Sequence, residues 1–186
     1  MAKIKSLSTP LTNDDLKNLK IGDKVTLTGA IYTARDAAHK RIVDLIDKNQ
    51  KLPFDLEGAV IYYVGPSPAK PGYAVGSAGP TTSGRMDAYA PLLISKGLKG
   101  MIGKGPRSEQ VKLAMKQHGA VYFAAVGGAG ALISKSIAKS DVIAYQELGT
   151  EAIRIMEVKD LPLIVAIDMF GNDLYQKGKE AYKISA

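Results

Sequence analysis

The hydrophobic pattern of this chain switches repeatedly between a period of two residues and a period near that of a helix, and this alternation limits the folds open to it. Lys24–Thr33 (KVTLTGAIYT) alternates apolar and polar positions and is rich in β-branched residues, which predicts a strand. Arg35–Lys48 follows with Ala38, Ile42, Leu45 and Ile46 on one helical face. Ala59–Val64 reads as a strand leading into a Pro/Gly-rich loop, Gly65–Gly72, where a helix is disfavoured. The alternation then repeats. A short strand is predicted at Ala74–Ser77, a helix at Arg85–Lys96 and a strand at Gly100–Gly103. A helix follows at Ser108–His118, closed by Gly119 in the position where helices favour a left-handed residue.

Ala120–Val126 is a buried-type strand, followed by Gly127-Gly128-Ala129-Gly130 and a helix to about Ala138. Further strands are predicted at Asp141–Glu147, Ala152–Val158 and Leu163–Asp168, with a closing helix near Asp173–Tyr182. Residues 1–23 read as a polar lead-in with a short helix near Asp14–Leu19. The expected class is α/β: a mixed, mostly parallel sheet with flanking helices. The 186 residues fit a single domain, 1–186, large enough to bury its own core.

Composition excludes several function classes. No cysteine is present, so this chain offers no disulfide, no thiol nucleophile and no thiolate ligand for a metal cluster. Two histidines, His39 and His118, make a histidine metal site within the chain a poor expectation, and no metal ligand is assigned. No apolar run approaches the roughly eighteen residues of a membrane span. The opening Met-Ala-Lys-Ile-Lys lacks the apolar run of a secretory signal, which points to the cytoplasm. The net charge of +7 is compatible with nucleic-acid binding, with a solvated lysine-rich surface, or with a site for small anions. Its cations are scattered rather than clustered with aromatics, which argues against nucleic acid.

The placement of cations relative to helix starts is more informative. Arg35 opens the first long helix. Arg85 opens the helix after Gly79-Pro80-Thr81-Thr82-Ser83-Gly84, and Lys104 and Arg107 precede the helix at Ser108. A cation beside the positive end of a helix costs about 0.3 kcal/mol or more, so three such placements call for an anion nearby. Strand-to-helix turns of α/β sheets also share one edge, where ligands bind. The inference is a pocket for a small, multiply charged anion. Each residue has a plainer alternative: Arg35 can pair with Asp36 or another carboxylate, and Thr81, Thr82 or Ser83 can cap a helix. Lys104 lies between Gly103 and Gly105, which allow close approach to the backbone or simply make a turn.

The Gly127–Gly130 turn lacks the G-K-[ST] ending of a P-loop and the full dinucleotide spacing, so tight packing is its favoured role. His39 shares a helical face with Arg35, and an ordinary helix histidine is the favoured reading; His118 sits where a helix C-terminus welcomes positive charge. No Ser–His–Asp arrangement, paired-carboxylate motif or metal-ligand cluster stands out, so the chain has parts to grip an anion and few to transform one.

At this point a family resemblance emerges. GPTTSGRMDAY (Gly79–Tyr89) resembles the signature of the class I fumarase C-terminal region, which is a separate β subunit in two-subunit enzymes. The resemblance continues through IYTARDAAHKR (Ile31–Arg41), MIGKGPRSEQV (Met101–Val111), HGAVYFAAVGGAGAL (His118–Leu132), ELGTEAI (Glu147–Ile153) and GNDLY (Gly171–Tyr175). It implies a swivelling β/β/α-type domain and reversible hydration of fumarate to malate. It also implies a partner α subunit carrying a [4Fe–4S] cluster, with a dimer of αβ units as one arrangement. By resemblance Arg35, Arg85 and Lys104 contact substrate carboxylates, and Thr81 takes part in proton transfer. The β subunit of L(+)-tartrate dehydratase is the nearest alternative, and a stand-alone small-anion-binding domain is the alternative of another class.

Overall fold

A computed structural model describes residues 4–125, 129–181 and 183. Seven strands, β1 (Lys5–Ser8), β2 (Lys24–Thr33), β3 (Val60–Tyr62), β4 (Gly100–Gly103), β5 (Val121–Ala124), β6 (Ile137–Ala144) and β7 (Ile153–Ile167), form one sheet in the order β1-β2-β3-β4-β5-β7-β6. Among the described residues six α-helices accompany them: α1 (Asn13–Leu16), α2 (Asp36–Asp47), α3 (Ala90–Ser95), α4 (Glu109–His118), α5 (Gly130–Ile133) and α6 (Leu174–Ala181). Strands β1 to β5 pair in parallel, whereas β7 runs antiparallel to β2, β5 and β6. Because β7 pairs with both β5 and β2, the strands β2-β3-β4-β5-β7 close into a ring. The class is mixed α/β, as expected. No helix among the described residues is long and apolar enough to cross a membrane.

Strand alternation divides the interior in two. Val60, Tyr62, Ile102, Val121 and Phe123 enter one buried cluster, while Ile61, Tyr63, Met101 and Tyr122 enter the other. The period-two geometry of a strand sends neighbours to opposite faces, so each face of β3 to β5 is apolar. The first cluster fills the inside of the curled sheet with β2 and β7 residues such as Leu27, Ile31, Leu161 and Val165. The second packs the sheet against α2, α3 and α4 through Ala38, Ile42, Leu93, Val111 and Met115.

Several sequence expectations are corrected. The segment 1–23 is more than a polar lead-in: it contributes β1 at the sheet edge, and Leu7, Leu11, Leu16 and Leu19 are all buried. No strand forms at Ala74–Ser77; Ser67 and Ser77 instead tie the ends of a loop, with Ser67 N–H donating to Ser77 O at 2.9 Å. The helix predicted at Arg85–Lys96 is split into a 3-10 turn, Ser83–Met86, and α3, because Pro91 suits only the first turn of a helix. The helix after Gly130 stops at Ile133, and β6 begins at Ile137; Gln146–Glu151 is a 3-10 turn rather than a strand end. The two strands predicted at Ala152–Val158 and Leu163–Asp168 are one. Asp160 takes a positive φ of 48° beside the register shift between Leu27 and Gly29, so the polar, proline-containing interruption is absorbed in a bulge.

His39 lies in the second core, fully buried, with its ring edge-on to Tyr63. Its Nδ1 is 2.9 Å from the Arg35 carbonyl, which only accepts, so Nδ1 carries the proton and Nε2 is buried without a partner. Burial pushes its pKa down from 6.5 to about 4.

Two tests follow from this packing. A Cβ at Gly103 would overlap Ser83 Oγ and come within 3.1 Å of the Tyr63 ring. Gly103→Ala is therefore expected to lower unfolding free energy by about 1–3 kcal/mol in urea titration, and a wild-type midpoint would contradict this packing. For His39, the unfolded state binds a proton below pH 6.5 that the native state refuses until about pH 4. Stability is thus complete above pH 6.5 and falls with pH, by roughly 2 kcal/mol at pH 5. The pH 7 to pH 5 loss should shrink by that amount in His39→Gln, and an unchanged slope would contradict the assignment.

Candidate functional site

Strands β2, β3 and β4 are parallel neighbours, so their carboxyl ends lie on one edge. Arg35 stands two residues beyond β2, and Lys104 directly follows β4. The segment from Gly79 to Met86 runs across the same edge. Thr81 N–H donates to Tyr63 O at 2.8 Å, Lys104 N–H to Thr81 O at 3.3 Å, and Ser83 N–H to Lys104 O at 2.9 Å. Thr82 and Lys104 form an isolated parallel bridge, so this segment is zipped onto the ends of β3 and β4. Thr81 and Lys104 are thereby fixed side by side through the backbone. Glycine at 103 is what lets Ser83 lie against β4.

A buried cation locks the segment. Arg107, 5% exposed, donates from Nε to Asp87 Oδ1 at 2.6 Å. Its guanidinium lies 5.3 Å from the Tyr63 ring centroid and 5.1 Å from that of Tyr122. The other Asp87 oxygen accepts from Ser108 N–H at 2.6 Å, at the start of α4. Tyr122 Oη is 2.9 Å from Ser83 Oγ and 3.0 Å from Gly105 O. Burial pushes both tyrosine phenols up, so they remain neutral hydrogen-bonding groups. Arg107, one of the cations that sequence placed at a helix start, is therefore committed to the fold.

Arg35 is the residue before the first turn of α2, with extended backbone at φ −118° and no side-chain cap. Its Nη2 lies 3.3 Å from Glu151 Oε1, and Glu151 Oε2 accepts from Ala37 N–H at 3.1 Å. Its Nε is buried without a hydrogen-bond partner. A Cβ at residue 65 would sit 2.8 Å from Arg35 Nη1, so Gly65 makes room for the guanidinium. Arg85 reaches back from the 3-10 turn to Asp36, the first residue of α2. Its Nε donates to Oδ1 at 2.9 Å, and Nη2 approaches Oδ2 at 2.9 Å, too poorly aligned for a second hydrogen bond.

The structure thus gathers all four sequence-predicted residues on one edge: Thr81 with Lys104 through the backbone, and Arg85 with Arg35 through the start of α2. It also supplies protein carboxylates for three of the four helix-start cations, Arg107 included. The plainer alternative for Arg35 is realised with Glu151, while Asp36 takes Arg85. Lys104 is exposed and makes no ion pair among the described residues. Arg85 is half exposed. Cavities of about 610 and 500 Å³ lie elsewhere, one lined by Ile46–Leu56 and Lys96, the other beneath the 66–75 loop. Neither is lined by Arg35, Thr81, Arg85 or Lys104; of these, Arg85 and Lys104 are exposed, while Arg35 and Thr81 are partly buried.

Sequence reasoning missed Glu151, Asp87, Tyr63 and Tyr122. Asp87, Tyr122 and Glu151 lie within the segments that carry the resemblance, but nothing local gives their partners, since Glu151 meets Arg35 across more than a hundred residues. Of the glycine turn, Gly127 and Gly128 lie outside the described residues. Gly130 packs on Gly79, with Ala78 N–H donating to Gly130 O at 3.1 Å, a packing role beside the site segment. His118 is in the last turn of α4, where its carbonyl accepts from Lys99 Nζ at 2.7 Å. Among the described residues no group of His, Asp and Glu is arranged to hold a metal ion, and the chain has no cysteine.

Comparison with known proteins gives this edge a context. The profile of the family described as "Fumarase C-terminus" matches residues 2–178. The chain is 42% identical over 164 residues to fumarate hydratase 2 of Leishmania major, spanning 87% of this chain and 29% of that protein. It is 42% identical over 164 residues to the anaerobic class I fumarate hydratase of Escherichia coli K12, with 87% and 30% covered. To the putative L(+)-tartrate dehydratase subunit beta of Methanocaldococcus jannaschii it is 41% identical over 180 residues, with 93% and 92% covered. The chain thus spans about three tenths of the fumarate hydratases it matches and nearly all of the β subunit. A profile match over almost the whole sequence, with relatives above 40% identity, establishes that this chain belongs to the fumarase C-terminus family.

Proposed function

We propose that this chain is the β subunit of a hydro-lyase that reversibly hydrates fumarate to malate, and that it supplies the side of the site that grips the substrate carboxylates. One observation carries the reading: Arg35, Arg85, Lys104 and Thr81 are gathered at one strand edge, with Arg85 and Lys104 exposed there. An edge of three cations suits a small dianion, and the exposure of Arg85 and Lys104 suits completion by a partner. The near-complete match to a protein named as a β subunit supports a two-chain arrangement.

The residue roles proposed here rest on the family resemblance, and the geometry is compatible with them. Asp36 occupies the Nε–Nη2 edge of Arg85, which leaves the terminal nitrogen edge for a planar carboxylate. Arg35 keeps an unpartnered Nε and uses one nitrogen on Glu151. Lys104, free of any ion pair among the described residues, brings a mobile ammonium to the other carboxylate. Hydration adds hydroxyl to one alkene carbon and a proton to the other, on opposite faces. Thr81 is the hydroxyl proposed to carry that proton, and a cation close to it would stabilise its deprotonated form.

The residues present do not fit an iron–sulfur cluster, since no thiolate is available. A [4Fe–4S] cluster in a fumarase α subunit is proposed to supply the Lewis acid of the reaction. On this reading residues 1–186 form one swivelling β/β/α-type domain, which closes as a rigid body on that partner in a cytoplasmic assembly, with a dimer of αβ units as one form. The extent of the match to a putative tartrate dehydratase β subunit favours L-tartrate as the second reading.

Anaerobic assay of the chain alone, then with its α subunit and a verified cluster, should give fumarate hydration only in the mixture. A verified mixture that acts on L-tartrate and not on malate would move the reading to tartrate dehydratase, and inactivity on both would overturn it. In the active mixture, Arg35→Lys and Arg85→Lys should each lower kcat/KM by about tenfold or more, because a lysine cannot make the forked contact. Near-normal kinetics for both would remove these residues from the site.

A further inference from the structure

The first turn of α2 is where both arginines of the proposed site are held, and each is held by a carboxylate that is itself fixed. Asp36 is the first residue of that helix, so its carboxylate starts from a rigid position. It takes Arg85 by one edge of the guanidinium, at 2.9 Å from both Nε and Nη2. Glu151 arrives from the Gln146–Glu151 turn and is anchored through Oε2 to Ala37 N–H at 3.1 Å; its other oxygen faces Arg35 Nη2 at 3.3 Å. Both carboxylates also sit at the positive end of α2, where negative charge is favoured. The Arg85–Asp36 pair, half exposed at the arginine, adds little to folding stability. The geometric effect of the two pairs is larger: a long, flexible side chain is restricted to one orientation, with the far edge of its guanidinium left for a ligand.

We propose that Asp36 and Glu151 are positioning residues for the reaction, each acting through one arginine: Asp36 through Arg85 and Glu151 through Arg35. This rests on the functional reading above and names the groups that preorganise it. The same turn carries a built-in comparison. Glu147 pairs with Arg41 further along α2, and Arg41 also stacks over the Tyr145 ring at 4.7 Å. That second latch fastens the turn to the helix without touching either site arginine.

The test is a pair of double-mutant cycles in the chain assembled with its α subunit and cluster, reading kcat, KM and the thermal midpoint. Asp36→Asn and Glu151→Gln should each lower kcat/KM by about tenfold, mainly through KM. Asp36→Asn should cost nothing further in an Arg85→Lys background, nor Glu151→Gln in an Arg35→Lys background, since each acts only through its arginine. Glu147→Gln, which loosens the same turn, should leave kcat/KM within about twofold of wild type. Additive losses in both cycles, or a Glu147→Gln loss equal to that of Glu151→Gln, would show a general structural role and overturn the proposal. An inactive wild-type assembly would instead overturn the functional reading and this inference with it.

Discussion

The arrangement of the site depends on one buried contact, the Arg107–Asp87 pair between the Tyr63 and Tyr122 rings. Four pieces of chain meet there: the segment from Gly79 to Tyr89, the turn after β4, Tyr63 just beyond β3, and Tyr122 on β5. Asp87 joins two of them, accepting from Arg107 and from the backbone at the start of α4. Removing a guanidinium and a carboxylate from water costs several kcal/mol per ion before their attraction repays it. The pair's contribution is therefore better understood as geometric: both charges are satisfied only when the Gly79–Tyr89 segment lies in this register across the sheet edge. Thr81, Lys104 and Arg85 inherit their positions from that register.

Electrostatics at the start of α2 adds the second constraint. A helix N-terminus favours anions, yet the chain places Arg35 there and draws Arg85 to it. Asp36 and Glu151 reconcile the two by satisfying the helix end and the arginines together. Carboxylates that compensate these cations internally leave a site with a modest surplus of positive charge rather than a bare cluster. On the proposed function, such a site would release a small dianion more readily than an uncompensated trio of cations.

Much of the architecture was legible because it is written locally. Lys24–Thr33 and Gly100–Gly103 form strands with the bounds their patterns suggest, and Ser108–His118 forms a helix capped by Ser108 and closed by Gly119 at φ 68°. Errors fell where a local pattern was overruled. Ala74–Ser77 is β-like in composition but spends its hydrogen bonds on closing a loop. The apparent break at Asp160–Pro162 is bridged because β7 absorbs one extra residue in a bulge opposite Thr28 of β2. The lead-in segment looked polar because its four buried leucines are spaced between charged residues, and only a partner strand makes them a core.

For the site, the chain's sequence determined which residue types were available: cations at strand-to-helix turns, a threonine-rich segment bounded by glycine, and no thiolate. Helix-end electrostatics made Arg35, Arg85 and Lys104 conspicuous, because an unfavourable local placement asks for a nearby anion. Tertiary structure alone decided which anion answers each cation. Arg107 was claimed by Asp87 in the interior, Arg85 by Asp36 and Arg35 by Glu151, while Lys104 was left without an ion-pair partner among the described residues. The reason is that capping, periodicity and helix-end charge act within a turn or two of chain, whereas an ion pair depends on distance in space. Only the folded sheet brings residues 35 and 151 within reach of each other.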